Sequence, residues 1–458
     1  MNIVLISTYE LGRQPFGLAS PAAWLGAGGH QVVLLDLSRQ ALDEAAIQSA
    51  NLIGIYLPMH TATRLAAQLI PSLRKLNPSA HLCCYGLYAP MNVEYLAALG
   101  VSTFLGGEFE QGLAQLAEHL RPNGNSKQRS ITPEPASMVS LERQRFIRPD
   151  RQGLPPLRNY AHVLLPFGEH RVAGYTEASR GCKHLCRHCP IVPVYKGVFR
   201  IVDPEVVLED IRQQVGAGAG HITFGDPDFF NGVGHALALV EALHREFPRL
   251  TYDVTIKIEH LRKHQKHLAT LRDTGCLFVT SAVESLDNDV LAKLDKGHTQ
   301  EDFLEVHQAF RELGMVLQPT FVPFTPWTTP ARYLELLHAL RENELIENVA
   351  PIQLAIRLLI PAGSRLLELE EVPYLVAPFD PESLAYPWRH PDPRVDALCE
   401  EIQWIVAASE KQKRSRRAIF ESIWQAAHKA AGLDEAFASL PVLPSRATIP
   451  FLNEPWYC

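Results

Sequence analysis

The sequence lacks any apolar run of the ~18 residues that a membrane-spanning helix needs. Its first residues, MNIVLISTYE, carry no basic segment of the kind that begins a secretory signal. The chain has 458 residues and a net charge of -7, so it has no overall basic field that would draw it to nucleic acid or to an anionic membrane. We therefore expect a cytoplasmic protein of more than one domain, with neither a membrane nor a nucleic acid as its partner.

The chain is also poor in cysteine, with eight in 458 residues, which excludes the disulfide frameworks of small secreted proteins. Three of the eight are nevertheless concentrated in the segment SRGCKHLCRHCP, as Cys182, Cys186 and Cys189. In a reducing compartment so tight a group indicates metal binding or catalysis. The remaining cysteines form no second paired half-site: Cys83, Cys84, Cys276, Cys399 and Cys458.

The first 120 residues alternate between short apolar runs and helix-length segments. The predicted strands are NIVLIS, QVVLLDL, NLIGIYLP, HLCCYG and STFLGG. Because strands that alternate with helices are typical of a parallel sheet, residues 1–120 are predicted to form a doubly wound, Rossmann-like α/β domain of about five strands. Its ligand edge would lie beyond the carboxyl ends of the strands.

The rest of the chain is predicted to contain a linker, a barrel and an irregular region. Residues 121–158 are polar, rich in proline and serine and without periodicity, which indicates a linker. Over 159–364 the alternation resumes with six βα units, too few for an eight-stranded barrel, which predicts an open, partial (β/α)6 barrel. Within it, Asp203 and Pro204 are typical of an N-cap and a first helical position. Residues 365–458 are predicted to mix helix and loop.

Two kinds of metal site are compatible with the three clustered cysteines. Thiolates favour zinc, copper(I) or iron–sulfur clusters. A structural zinc normally takes four ligands, and His184 or His188 could supply the missing one. Alternatively, the cysteines hold three corners of a cluster whose fourth iron stays free for a small molecule, as a catalytic zinc keeps one position open.

The Cx3Cx2C spacing after the first strand of a partial barrel resembles the radical S-adenosylmethionine (SAM) superfamily. The resemblance implies an enzyme in which Cys182, Cys186 and Cys189 ligate a [4Fe-4S] cluster and are essential for catalysis. The open iron would chelate SAM, and an electron from the cluster would break a carbon–sulfur bond. One departure is His188, because the residue before the last cysteine is usually an aromatic that packs on the adenine; a histidine ring can still stack there.

The resemblance also implies contacts to SAM at two later strand ends. In HITFGDPDFF, Gly225 and Asp226 stand where family members contact the amino group of the cofactor, although an aspartate after a strand is often a helix cap. In YDVTIKIEHL, Lys257 and Glu259 follow a strand that usually contacts the ribose. Since these two residues alternate with apolar ones, we expect them on one face of that strand, which a solvated strand edge would explain equally well.

The segment SAVESLDNDVLAKLDKGHT is similar to one found in radical SAM enzymes that carry an N-terminal cobalamin-binding-like domain. The match rests on Glu284, Ser285, Lys296 and Gly297. Glu284 would cost free energy if it were buried without a partner. A bound cofactor would satisfy its carboxylate, and a salt bridge to a neighbouring basic residue would do so as well.

Residues 1–120 resemble the cobalamin-binding domain of that subgroup in the stretches AAWLGAGGHQVVLLDL and GGEFE. The DxHxxG signature, whose histidine ligates cobalt from below, is absent, and DLSRQ stands in its place. A cobalamin bound here would lack that ligand. Cobalamin binding and a Rossmann-like domain that only packs on the barrel are both open.

The last residues, SRATIPFLNEPWYC, resemble the stretch before the terminal signature of the CUAEP/CCAEP-tail radical SAM proteins, in which U is selenocysteine. Cys458 would be the first residue of that signature, and the resemblance places it among the catalytic residues. We expect the natural chain to continue through a UGA codon into Ala-Glu-Pro, which the downstream DNA would reveal. The alternative is an ordinary terminal cysteine.

Together these features predict an enzyme that cleaves SAM reductively and starts radical chemistry on a small-molecule substrate, with a flavodoxin or ferredoxin as reductant. Methyl transfer, aminocarboxypropyl transfer and hydrogen abstraction are all open. A non-catalytic zinc scaffold and an RNA-modifying radical SAM enzyme are the alternatives. The basic run EKQKRSRRAIF is expected to be the solvated face of one helix.

Overall fold

In a computed structural model of the protein, the described residues are 1–121, 136–165, 168–433 and 451–452. The first six strands are β1 (Asn2–Ser7), β2 (Gln31–Asp36), β3 (Leu52–Tyr56), β4 (His81–Tyr85), β5 (Thr103–Gly107) and β6 (Ala136–Ser140). They form one parallel sheet in the order β2-β1-β3-β4-β5-β6. The helices that alternate with them are α1 (Phe16–Ala27), α2 (Glu44–Ser49), α3 (His60–Leu76), α4 (Val93–Ala98) and α5 (Phe109–His119).

Both faces of this sheet are buried under helices. Along β1, Ile3 and Leu5 belong to one apolar cluster, whereas Val4 and Ile6 belong to another. Successive side chains of a strand point to opposite faces, so the two clusters lie on the two sides of the sheet. The doubly wound α/β fold predicted for the first domain is confirmed.

The number of strands predicted for this sheet was wrong by one. The sixth strand, β6, comes from the segment predicted to be a linker, and it pairs with β5 in parallel with Leu105 opposite Met138. The open edge of β5 offers unpaired N–H and C=O groups that any extended segment can satisfy. Pairing with this edge therefore decides the conformation of a segment with little strand pattern of its own.

The second sheet is an open, curled half-barrel. Its strands are β7 (His162–Leu164), β8 (His170–Thr176), β11 (His221–Phe224), β12 (Thr251–Thr255), β13 (Cys276–Glu284), β14 (Val316–Phe321) and β15 (Phe451–Leu452). A separate hairpin contains β9 (Ser179–Gly181) and β10 (Phe199–Ile201). The sheet order is β14-β13-β12-β11-β8-β7-β15, with β8 and β11 to β14 parallel. The helices of this part are α6 (Ile191–Tyr195), α7 (Pro204–Gly216), α8 (Val233–Glu246), α9 (Ile258–Lys263), α10 (Leu268–Asp273), α11 (Asn288–Leu294), α12 (Gln300–Glu312) and α13 (Pro330–Glu342).

The sixth parallel strand predicted over IQLAIRLLI is reduced to a single bridge. Residues 351–354 form a 3-10 turn, and only Phe324 and Arg357 pair in parallel beyond β14. The side-chain oxygen of Gln353 accepts the backbone N–H of Phe321 at 3.2 Å. A side chain thus takes a donor that a sixth strand would have used. The predicted start of α7 is confirmed, because Asp203 accepts the N–H of Glu205.

The C-terminal helices share the core of the half-barrel. They are α14 (Val372–Leu375), α15 (Pro393–Lys411) and α16 (Arg416–Ala430), and the buried Trp424 belongs to the same apolar cluster as Tyr252 of β12. The basic run was wrongly predicted to be one helix, because it spans the turn where Ser415 caps α16. Among the described residues, no helix combines the length and the apolar character needed to cross a bilayer. Cys458 lies outside the described residues.

Candidate functional site

The three clustered cysteines lie on one loop that follows the hairpin strand β9. The loop begins at Gly181, whose φ is +70°; a Cβ there would lie 2.4 Å from the backbone oxygen of Val198. Only glycine fits this left-handed, crowded position. Cys186 is buried, while Cys182 and Cys189 are partly buried.

Bonds from two later parts of the chain fix this loop. The N–H of Arg187 donates to the carbonyl of Leu294, at the end of α11, at 2.9 Å. The hydroxyl of Ser364 donates to the carbonyl of Arg187 at 3.0 Å, and Arg365 donates to the carbonyl of Leu185 at 2.7 Å. Protein contacts therefore set the conformation of the loop that carries the thiols.

Burial makes two of the three thiols poor acids. Burial, and to a smaller extent the neighbouring Cys186, raises the pKa of Cys189 to about 12. The pKa of Cys182 is also raised, again chiefly by burial. Since metal ions bind thiolates and release their protons, such thiols are well suited to a strongly bound metal centre.

A buried ion pair lies beside the cysteines. Glu284, at the end of β13, is 3.3 Å from the Nζ of Lys296 and 3.1 Å from the Nε2 of His188. Burial alone would raise the pKa of Glu284, but Lys296 and then His188 lower it to about 2. Burial would likewise lower the pKa of Lys296, yet Glu284 and the thiols of Cys186 and Cys189 raise it. A permanent positive charge therefore faces two of the three thiols.

Glu284 has an unusual backbone conformation. Its φ is +71°, and the pairing of β13 with β14 is irregular between Ala282 and Glu284. Positive φ is uncommon for a residue other than glycine, and such strain and bulges are concentrated at functional sites. The salt bridge considered for Glu284 from the sequence is the arrangement observed, with Lys296 as its partner.

Gly225 and Asp226 pack against the strand that leads into the cysteine loop. The carboxylate of Asp226 accepts the N–H of Ala178 at 3.0 Å and the hydroxyl of Ser179. Burial raises its pKa to about 7. A Cβ at Gly225 would lie 1.9 Å from the hydroxyl of Tyr175. Both residues thus position the chain that enters the loop.

Lys257 and Glu259 do come together, although not on a strand as predicted. Strand β12 ends at Thr255 and α9 begins at Ile258, so the turn into the helix brings the two side chains to 3.0 Å. The Nζ of Lys257 also lies 3.1 Å from the Nδ1 of His184, inside the cysteine loop.

Sequence reasoning missed Asp228 and His260 as neighbours of this loop. The Oδ2 of Asp228 lies 2.6 Å from the Nδ1 of His260 and 3.5 Å from the Nε2 of His184. Asp228 stands within GDPDFF and also caps a short 3-10 turn. The histidine-rich run EHLRKHQKH was the available signal for His260.

The predicted ligand edge of the first domain is its contact surface with the half-barrel. Arg180 reaches it from β9 and bonds Glu110 at 2.6 Å and Glu108 at 3.4 Å, while its Nε bonds Glu177 at 2.7 Å. The rings of Tyr56, Tyr85 and Phe109 pack on one another with centroids 5.0 to 5.9 Å apart. These rings and ion pairs line the edge beyond the carboxyl ends of β3, β4 and β5, where the sequence resemblance places cobalamin.

Comparison with known proteins identifies the second domain. Residues 176–337 match the model of the Radical SAM superfamily. The chain is 24% identical over 331 residues to hopanoid C-3 methylase of Methylococcus capsulatus, covering 69% of this chain and 62% of that protein. It is 26% identical over 204 residues to a tRNA-2-methylthio-N(6)-dimethylallyladenosine synthase of Desulfosudis oleivorans, covering 41% of each. The chain thus spans less than two thirds of the length of either relative.

Solved structures share most of the fold. The cobalamin-dependent S-adenosylmethionine radical enzyme OxsB, in its apo form, superposes with a TM-score of 0.69 at 15% identity, over 93% of this chain and 71% of that one. The radical SAM methyltransferase TsrM of Kitasatospora setae, with tryptophan and a SAM analogue bound, gives 0.57 at 18% identity, over 75% and 72%. The predicted order of an α/β domain followed by a partial barrel is confirmed.

Proposed function

We propose that this enzyme, which carries a radical SAM domain at residues 176–337, holds a [4Fe-4S] cluster on Cys182, Cys186 and Cys189 and cleaves SAM to alkylate a small molecule. The spread of the three sulfurs carries the proposal. They do not all lie within 4.8 Å of one another, whereas thiolates on one tetrahedral zinc, with Zn–S of about 2.3 Å, would be about 3.8 Å apart. A cluster instead offers each thiolate a separate iron atom.

The charges around the thiols support the same assignment. Three thiolates and a cluster bring negative charge into a buried site, which is costly unless opposite charge lies nearby. Lys296 supplies that charge next to Cys186 and Cys189, and Glu284 holds its ammonium group in place. When bound, the cluster would supply the electron that breaks a carbon–sulfur bond of SAM.

We assign the polar groups around the loop to two roles. His188, Lys257, Glu259 and Glu284 lie on the cysteine loop or directly against it and are proposed to contact SAM. His188 would do so with the ring face, since its Nε2 is bonded to Glu284. Gly225 and Asp226 are proposed not to contact SAM but to position the backbone that enters the loop.

Methyl transfer is the proposed reaction class, and its support is the chemistry named for relatives. Hopanoid C-3 methylase matches over 69% of this chain, and TsrM is described as a methyltransferase. The solved neighbours are described as binding cobalamin, and this chain shares the fold of one of them over 93% of its length. No step of the proposal depends on cobalamin, and corrinoid content is a separate measurement.

The substrate is proposed to be a small molecule, although several relatives act on tRNA. Two arginines of the basic run are bonded within the protein: Arg416 is buried and bonds the carbonyl of Glu347, and Arg414 bonds Ser422 at 3.0 Å. Transfer of labelled methyl groups from SAM into added tRNA would overturn this part of the proposal.

The test is anaerobic isolation of the full chain, reduction with dithionite or flavodoxin, and mass spectrometry of the SAM products. We expect iron, sulfide and brown absorbance, with S-adenosylhomocysteine as product. 5′-Deoxyadenosine would indicate hydrogen abstraction instead, and methylthioadenosine would indicate aminocarboxypropyl transfer. Cys186→Ala should lose both cluster and cleavage, whereas Cys84→Ala, a buried thiol of β4, should keep both. Cleavage of SAM by Cys186→Ala at the wild-type rate would refute the proposal.

A further inference from the structure

A second group of metal-ligating side chains lies next to the cysteine loop. His184, Asp228 and His260 each place a ligand atom within 4.8 Å of the other two, and this is the one such group among the described residues. The Nε2 atoms of the two histidines are 3.3 Å apart, and Asp228 and His260 are almost fully buried. The three residues come from the loop, from the turn after β11 and from α9, so the tertiary fold alone assembles them.

Hydrogen bonding accounts for only part of this group: the two histidines bond each other through Nε2, but the contact between Asp228 and His260 lacks hydrogen-bond geometry. The Oδ1 of Asp228 accepts the N–H of Phe230 at 3.1 Å, but its Oδ2 has no hydrogen-bond partner. The Nδ1 of His260, only 2.6 Å from that oxygen, has none either. Buried polar atoms without partners are rare in folded proteins. The unpartnered Oδ2 of Asp228 is a buried carboxylate oxygen that is available to a bound cation.

A second buried histidine–aspartate pair provides the contrast. His221 on β11 bonds the Oδ1 of Asp253 at 2.8 Å through Nε2 and Thr251 at 2.9 Å through Nδ1. Both of its ring nitrogens are therefore satisfied, as expected of a structural pair. The pair of Asp228 and His260 differs because its facing atoms lack this geometry.

We propose that His184, Asp228 and His260 bind a divalent transition-metal ion, zinc(II) or iron(II), at a site separate from the three cysteines. Two imidazoles and one carboxylate form a donor set that both ions accept. On a tetrahedral ion with bonds of about 2.0–2.1 Å, ligand atoms lie about 3.3 Å apart. With Nε2 of each histidine as the ligand atom, the distances of 3.3 Å between the imidazoles and 3.5 Å from His184 to Asp228 match that spacing. The contact of 2.6 Å from Asp228 to His260 is made at Nδ1, the ring nitrogen that would not bind the ion.

The surroundings of the three ligands favour a cation. Asp228 and Glu259 contribute two negative charges against the one positive charge of Lys257. Metal-bound histidines usually donate their second N–H to an outer acceptor, and the Oε2 of Glu259 lies 3.6 Å from the Nδ1 of His184. Lys257 lies closer to that nitrogen, at 3.1 Å, and its ammonium group can only donate. Metal binding at Nε2 would therefore require His184 to carry its proton on Nδ1 and to donate it to Glu259 instead of accepting from Lys257.

The test uses the full chain with its cluster reconstituted, equilibrated with excess Zn²⁺ and desalted. Metals are then measured by mass spectrometry. We expect stoichiometric zinc in addition to unchanged iron. The double substitution Asp228→Asn with His260→Ala should keep the iron and lose the zinc, and Glu259→Gln should weaken zinc binding by about 10- to 100-fold. His264→Ala is the matched control: the ring of His264 lies 5.9 Å from that of His260, and this variant should keep the zinc.

A spectroscopic measurement on the wild-type chain tests the proposal even if the double variant does not fold. Co²⁺ added to the cluster-loaded wild-type chain should give ligand-field bands without a sulfur-to-cobalt charge-transfer band. The proposal fails if wild type binds no zinc beyond adventitious levels, if the folded double variant keeps it, or if cobalt shows thiolate ligation. Iron content and SAM cleavage are read separately, so failure of the cysteine cluster would be recognised independently.

Discussion

Glu108 and Glu110 share one arginine, and we predict that replacing them has opposite effects at pH 8. Glu110 bonds Arg180 through both oxygens, at 2.6 and 2.8 Å, and also accepts from Ser20. Glu108 reaches Arg180 only at 3.4 Å, and its Oε1 has no hydrogen-bond partner. Burial raises the pKa of Glu108 to about 7. Burial would also raise the pKa of Glu110, but the charge of Arg180 and the hydrogen bonds from Arg180, Ser20 and Gln144 together lower it.

The sign of the pH effect follows from these directions. A carboxyl group whose pKa rises on folding stabilises the fold fully below its unfolded value of 4.5, and this contribution is lost as pH rises through about 7. The rise from 4.5 to about 7 corresponds to about 3 kcal/mol. Glu108→Gln keeps an acceptor for Arg180 and removes the buried charge. It should therefore be more stable than wild type by about 1 kcal/mol at pH 5 and by about 3 kcal/mol at pH 8.

Differential scanning calorimetry at both pH values tests this prediction. At about 2–4 °C per kcal/mol for a domain of this size, the gain at pH 8 is roughly 10 °C in the transition that includes the domain interface. Glu110→Gln is the matched control and should lower the same transition at pH 8, because it leaves Arg180 with weaker partners. The reasoning is refuted if both variants shift in the same direction, or if the gain of Glu108→Gln is equal at pH 5 and pH 8.

Three further substitutions test the loop and its surroundings. Lys296→Met leaves Glu284 buried without its cation, so it should lower the free energy of unfolding by about 3–5 kcal/mol and reduce the iron retained per chain. Lys296→Arg should recover part of the stability, measured by calorimetry, and part of the iron content. Gly181→Ala forces a Cβ into a position with φ of +70° and should lower iron retention, which a reconstitution assay would show. Gly225→Ala places a Cβ 1.9 Å from a tyrosine hydroxyl and should lower the melting temperature of the half-barrel; an unchanged melting temperature would contradict the packing described.

Sequence periodicity predicted the elements that are buried on both faces. The run NIVLIS became the central strand β1, because a strand covered on both sides must be apolar throughout. The strand β6 could not be predicted in this way, since ASMVS carries little pattern and pairs where β5 leaves an edge. The missing sixth strand has a similar reason: Gln353 fills the ladder position with its side chain, and a sequence pattern does not show such replacement.

The candidate site was predictable where its residues are close in sequence. The spacing of Cys182, Cys186 and Cys189 identified the loop. A salt bridge to a basic neighbour was one of the two partners considered for Glu284, and the structure supplies Lys296 from the same βα unit. His260 and Asp228 belong to different units, and each has a plain local explanation, as part of a basic helix or as a cap. Only the packing of α9 against the turn after β11 brings the Nδ1 of His260 to 2.6 Å from the Oδ2 of Asp228.

The way the loop is held has a consequence for how the cluster binds. In small zinc domains the metal organises its own ligands, and the chain unfolds without it. Here Arg187 is fixed by α11 and by Ser364 through backbone bonds, and Arg365 fixes Leu185. None of these bonds uses a thiol. The loop is therefore ordered by protein contacts, and cluster binding does not have to supply the conformational entropy of ordering it. Removing the cluster should lower the affinity for SAM without unfolding the half-barrel.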